Sequence, residues 1–98
     1  MKHVLLSEGY GPAVYLVPDI VADNLEKYCY DFINWMATSP HAEVYRVNVG
    51  DFIGYCFDSR DFIKYLNAWV FQDNPSQFVD ALTNGIPKKY RNCMRFDF

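Results

Sequence analysis

Histidine is scarce in this chain of 98 residues, with only His3 and His41 present. Neither stands at a metal-ligand spacing from a cysteine or from the other histidine. The three cysteines, Cys29, Cys56 and Cys93, are odd in number and far apart, which is neither a disulfide framework nor a zinc pattern. They read as reduced structural thiols, because unpaired cysteine packs as a small hydrophobe. The five glycines are Gly9, Gly11, Gly50, Gly54 and Gly85. None opens a phosphate loop or a dinucleotide fingerprint, and Gly9-Tyr10-Gly11 lacks the strand-to-helix setting such a loop needs. No apolar run approaches the roughly 18 residues that span a bilayer, the longest being of the order of Ala13 to Val17. Met1 to Leu6 begins like a signal peptide, but Ser7-Glu8-Gly9-Tyr10-Gly11-Pro12 breaks it before an apolar region is complete. A cytoplasmic protein without metal, cofactor or membrane contact is the expectation.

What the chain has in quantity is aromatic side chains. Eight Tyr, eight Phe and two Trp make 18% of it, beside 51% hydrophobic and 21% charged residues. That is globular composition, and the length fits a single domain over residues 1–98. Aromatic rings build a dense core in a short chain, and a surplus marks a contact surface. The net charge of −3 is unevenly spread. Residues 1–87 carry eleven acids against five bases, whereas Lys88, Lys89, Arg91 and Arg95 face only Asp97 in a short basic segment at 88–98. An acidic body argues against direct nucleic-acid binding, which rests on phosphate contacts. The basic segment is expected to lie against the acidic body by simple attraction.

The hydrophobic pattern predicts an α+β fold. Val4-Leu5-Leu6 and Ala13 to Val17 flank a turn and read as a hairpin with Tyr10 near its tip. Pro18 to Thr38 reads as one long helix, with Val21, Leu25, Tyr28, Cys29, Phe32 and Met36 on a single stripe that Ala22, Ile33 and Trp35 widen. Asp23-Asn24-Leu25-Glu26 reads as a variant capping box that could start the regular helix at Asp23, and Ser39-Pro40 ends it. Val44 to Val49 alternates, Gly50-Asp51 turns, and Phe52 to Phe57 returns as a second hairpin. Asp58-Ser59 caps a helix carrying Phe62, Tyr65, Leu66, Trp69 and Val70. A further short helix is expected after Pro75, with Phe78, Val79 and Leu82 inward and Gly85 closing it. Met94 to Phe98 suits an edge strand. The expected architecture is a small antiparallel sheet of four to five strands packed against one long and two shorter helices. The tripeptide Asp-Phe-Ile recurs at 31, 51 and 61; its copies fall in different kinds of element, so it is composition bias and not a repeat.

No residue set here predicts catalysis. A Cys56 nucleophile would need His41 as its base. Yet His41 belongs to a surface loop, and Cys56, between Tyr55 and Phe57, to a buried strand, where a thiolate is disfavoured. Stacking of bases on sheet aromatics would require a basic groove, and Arg46 is the only clear base on the inner strands.

The run Val4-Leu5-Leu6-Ser7-Glu8-Gly9-Tyr10-Gly11-Pro12-Ala13-Val14-Tyr15, followed by Val17-Pro18-Asp19 and Ala22-Asp23-Asn24-Leu25, resembles short, acidic, uncharacterised proteins of Gram-positive bacteria and their phages and mobile elements. The resemblance covers about the first 35 residues and brings no functional residues with it. It implies an inhibitor or accessory factor, including anti-CRISPR-type proteins that occupy a nucleic-acid-binding surface. The expected function is therefore non-enzymatic: docking on a larger protein or ribonucleoprotein with a basic surface, such as a nuclease or CRISPR effector. The expected contact residues are Tyr10, Asp23, Lys27, Tyr30 and Asp31, because an exposed Tyr among charges suits an interface. Two alternatives stand beside it. One is a self-associating module, a homodimer closed through Phe71, Phe96 and Phe98; the other is a small enzyme using two carboxylates.

Overall fold

A computed structural model describes residues 1–7 and 11–98 and has the α+β class that the pattern predicts. The first hairpin, β1 (Lys2–Ser7) and β2 (Ala13–Val17), pairs antiparallel with Leu5 opposite Val14. It forms the centre of a four-stranded sheet in the order β5-β2-β1-β6. Alternation divides its side chains between two faces. Val4, Leu6, Tyr15 and Val17 join the main core with the helices, whereas Leu5 and Val14 meet Leu82 and Tyr90 behind the sheet.

The helical stretch after Pro18 is two helices. α1 (Asp19–Asp23) stops at Asn24, whose φ of −134° and ψ of 39° lie outside the helical region. α2 (Leu25–Thr38) then starts afresh, without a side-chain cap from Asn24. The centre of the anticipated stripe holds across the break, since Val21, Ala22, Leu25, Cys29, Phe32 and Met36 are buried, whereas Tyr28 and Trp35 are half-buried and Ile33 is exposed. Phe32 is its hub, with the rings of Trp35, Phe57, Phe62, Tyr65 and Phe98 centred within 6.1 Å. Ser39 follows, its hydroxyl accepting the His41 backbone N–H at 3.2 Å to start a 3-10 turn over Pro40–Tyr45.

β3 (Arg46–Val49) and β4 (Phe52–Tyr55) form the second hairpin. Gly50 has φ +61° at the first turn position, and among the described residues only glycines have positive φ. This is the pattern of a type II′ turn, whose twist suits two-residue hairpins. The hairpin does not join the main sheet and stands as a two-stranded sheet of its own. α3 (Ser59–Tyr65) opens with a complete capping box, in which Asp58 accepts from Arg60 and Asp61 and Asp61 returns a bond to Asp58. A π-helical turn over Leu66–Val70 continues it. The Tyr15 and Ser59 hydroxyls lie 2.7 Å apart, joining β2 to α3 within the core.

Two further details of the sequence reading are corrected. The stretch expected as a second short helix is β5 (Gln77–Ala81), which pairs antiparallel with the outer side of β2. An open strand edge is satisfied there by backbone pairing, and this overrides the helix-like spacing of Phe78, Val79 and Leu82. β6 (Met94–Asp97) is an edge strand as expected, but it runs parallel to β1, so the sheet is mixed. Side-chain periodicity is identical for either direction, so only the connection decides it.

Candidate protein-contact surface

The outer side of α1 and α2 holds four of the five anticipated contact residues, and the structure shows how each is fixed. Asp23 ends α1 and pairs with Lys2 of β1 at 2.7 Å. Lys27 and Asp31 sit one turn apart on α2 and pair at 2.9 Å, the spacing at which helix side chains meet. Tyr30 lies beside them with 56% of its surface exposed. Its ring meets Phe96 of β6 edge-on, at 5.5 Å and 88°. Tyr30 is thus held from one side and open on the other. Tyr10 lies outside the described residues.

Charge on this surface is more evenly balanced than the sequence suggests. The terminal amine of Met1 lies 2.8 Å from Asp19 and, by hydrogen bonding to it, keeps that carboxyl below its ordinary value. Hydrogen bonds from Lys2 to Asp23 and from Lys27 to Asp31 hold both lysines above their usual range. These pairs are solvent-exposed, so they orient side chains more than they stabilise the fold. Glu26 adds an exposed carboxylate that forms no ion pair among the described residues. The surface therefore presents a fixed aromatic ring within a lattice of paired charges.

Other candidates fare differently. Cys56 is exposed just past β4, contrary to the buried strand position expected for it, because β4 belongs to the hairpin and not to the core sheet. His41 lies against Trp69, with ring centres 4.6 Å apart and planes tilted by 32°, and no hydrogen bond links it to Cys56 among the described residues. Cys29 is buried, and burial pushes its thiol well above the ordinary range. No three His, Cys, Asp or Glu side chains cluster as a metal site among the described residues, and none of their helices is long and apolar enough to cross a membrane. Phe71, Phe96 and Phe98, expected to complete a twofold patch, are half-buried and pack against the main core. Lys88, Lys89 and Arg91 form no ion pair with the acidic body among the described residues, and Arg95 pairs only with its neighbour Asp97 at 3.1 Å. Lys89 lies over the Tyr90 ring at 5.0 Å.

One surface escaped the sequence reading. The second hairpin exposes apolar residues on both faces: Val49 60%, Phe52 77%, Ile53 61% and Tyr55 43%. The available signal was that both residue parities of Val47 to Tyr55 are apolar, which a half-buried strand does not require. No protein family, curated protein or solved structure matches this chain.

Proposed function

We propose that the chain is a non-enzymatic protein-binding protein, an inhibitor or accessory factor that docks on a larger protein or ribonucleoprotein with a basic surface. Tyr30 carries the reading: a half-exposed ring braced by Phe96 and flanked by Glu26, Lys27 and Asp31. A ring already fixed loses little freedom on binding, and Tyr is enriched among residues that dominate interfaces. The excess carboxylate of this surface, Glu26 above all, favours a basic counterpart. The paired charges around it set orientation and exclude mismatched partners.

Binding kinetics at two salt concentrations test this, using the partner recovered by pull-down from the native host. Tyr30→Ala is expected to speed dissociation, because packed rings govern residence time. Glu26→Lys with Asp31→Lys is expected to slow association, with the difference shrinking at high salt as the Debye length falls below about 8 Å. Wild-type kinetics for both variants would remove the α2 face from the interface and the proposal with it.

A further inference from the structure

We propose that the β3–β4 hairpin is the interface with a second copy of this chain, formed edge to edge through β4 into a four-stranded sheet across a twofold axis. The proposal stands on residues other than those of the α2 face and does not depend on the docking partner.

The first argument is surface. A folded monomer of this mass exposes about 5,800 Å², whereas this 11.5 kDa chain exposes 6367 Å². Its radius of gyration is 13.9 Å, against about 12.6 Å for a compact chain of equal length. The excess of about 550 Å² approaches the ~600–800 Å² per partner of a small specific interface. Much of the apolar surface on show is in the hairpin, where Phe52, Ile53 and Val49 are each at least 60% exposed. A lone two-stranded sheet is marginal in water and needs further strands or packing.

The second argument is the edge. Cys56 N–H donates to Tyr45 C=O at 2.8 Å, extending a register in which Val49 faces Phe52 and Val47 faces Gly54. In an antiparallel ladder bonded pairs alternate with unbonded ones. Pairs 49/52, 47/54 and 45/56 are bonded, so the N–H and C=O of Ile53 and Tyr55 point away from β3. That edge carries no lysine, proline or inward charge, the devices that guard natural edges. β3's charge is already engaged, since Arg46 donates to the carbonyls of Met36 and Ser39. The outer strands of the main sheet, by contrast, carry Asp80 on β5 and Arg95 and Asp97 on β6.

The third argument is self-complementarity. Antiparallel pairing of β4 with its own copy, centred on Gly54, sets Ile53 of each copy opposite Tyr55 of the other. Both offer outward backbone groups, and an aromatic opposite a β-branched residue is a favourable cross-strand pair. Gly54 meets Gly54 at an unbonded position, where Cα atoms approach to about 4.5 Å. The interface is isologous, as twofold dimers require. With no free charge on the strands to repel or select, a second copy is the occupant that matches the outward backbone groups and side chains of Ile53 and Tyr55.

Sedimentation equilibrium and register-specific cross-linking test it. Wild type is expected to be dimeric at about 100 µM and to dissociate on dilution. Ile53→Pro removes an outward N–H while sparing the hairpin's own ladder, and is expected to weaken the dimer about tenfold or more. Gly54→Cys, in a Cys56→Ser and Cys93→Ser background, puts two thiols across the axis within disulfide range. A Cβ at Gly54 meets the Val47 and Val49 methyls at 3.4 and 3.5 Å and the Val47 carbonyl oxygen at 3.8 Å, all ordinary contact distances or close to them. That variant is expected to oxidise to a covalent dimer. Asp51→Cys in the same background should not, its two copies lying about 20 Å apart. A wild-type monomer at the higher concentration would overturn the proposal and leave the edge to a strand from another protein. Equal cross-linking through positions 51 and 54, or an undiminished dimer in Ile53→Pro, would also overturn it.

Discussion

Substitution of two residues on the same helix turn separates the inner from the outer side of α2. Phe32 is completely buried and touches five other rings, of Trp35, Phe57, Phe62, Tyr65 and Phe98, at centroid distances of 5.3 to 6.1 Å. Phe→Ala in a core costs about 3–5 kcal/mol, the upper part of the range applying where neighbours cannot collapse into the gap. Rings from four separate segments surround Phe32, so the cavity would be hard to close, and a loss of about 4–5 kcal/mol is expected. A domain of this length has about 5–15 kcal/mol in total. The corresponding fall in melting temperature is about 15–30 °C. Tyr30, two residues earlier, is more than half exposed and makes one edge-on ring contact, with Phe96. Tyr30→Ala should cost about 0.5–1.5 kcal/mol, the worth of such a pair. Phe32→Leu, which keeps most of the volume but loses the ring contacts, should fall between them at about 1–2 kcal/mol. Urea denaturation of the three variants, with slopes compared to confirm two-state behaviour, gives the order directly. Equal losses at 30 and 32 would show that α2 does not bury the face described.

Two further outcomes follow from the thiols and from the end of the sheet. Burial raises the Cys29 thiol and keeps it from solvent, so alkylation of the native protein should modify Cys56 quickly and Cys29 only after unfolding; mass measurement with peptide mapping reads this, and rapid native labelling of Cys29 would contradict the core. Asp97 is held below its ordinary value, first by the Ser7 hydroxyl and then by Arg95. A depressed folded value means that its contribution is complete above the unfolded carboxylate range and is lost as pH falls through the folded one. The β1–β6 pairing should therefore loosen below about pH 4. It would be seen as faster exchange of the Phe98 amide, which donates to Ser7 C=O at 2.7 Å, and Asp97→Asn should abolish that pH dependence.

Legibility in the sequence tracked how local each determinant was. The stripe through α1 and α2 could be read because five buried residues, Val21, Leu25, Cys29, Phe32 and Met36, repeat at helical spacing, and the α3 start because Asp58 is a favoured N-cap residue just ahead of an apolar stripe. The break at Asn24 was half legible: a capping-box pattern at Asp23-Asn24-Leu25-Glu26 marks a helix start one residue early, while the 3.6-residue period of apolar side chains continues through it. β5 was misread because Phe78, Val79 and Leu82 fit a helix turn, whereas the unpaired outer edge of β2 is a fact of tertiary structure. For the candidate surface, periodicity placed Lys27, Tyr30 and Asp31 together and outward. The ion partners of Asp19 and Asp23, the Met1 amine and Lys2, and the brace from Phe96 on β6 lie far off in sequence, and so could not be foreseen. The hairpin's isolation was hidden for the same reason, since alternation reveals strands but not which sheet they enter.

The position of β1 between β2 and β6 has a consequence for the order of assembly. Its pairing with β2 joins residues as near in sequence as Leu6 and Ala13, at an entropic cost of about 1.5 kcal/mol. Its pairing with β6 joins Ser7 to Asp97, 90 positions away, and a flexible loop of that length costs about 4 kcal/mol to close. The first hairpin and the helices can therefore gather before β6 docks, and until then the strand carrying Val4, Leu5 and Leu6 has one bare edge. Contacts made that late tend to govern how fast the native state opens more than how fast it forms. From loop closure alone β6 is expected to dock late, and a partly folded chain with that edge open is exposed to association with other chains.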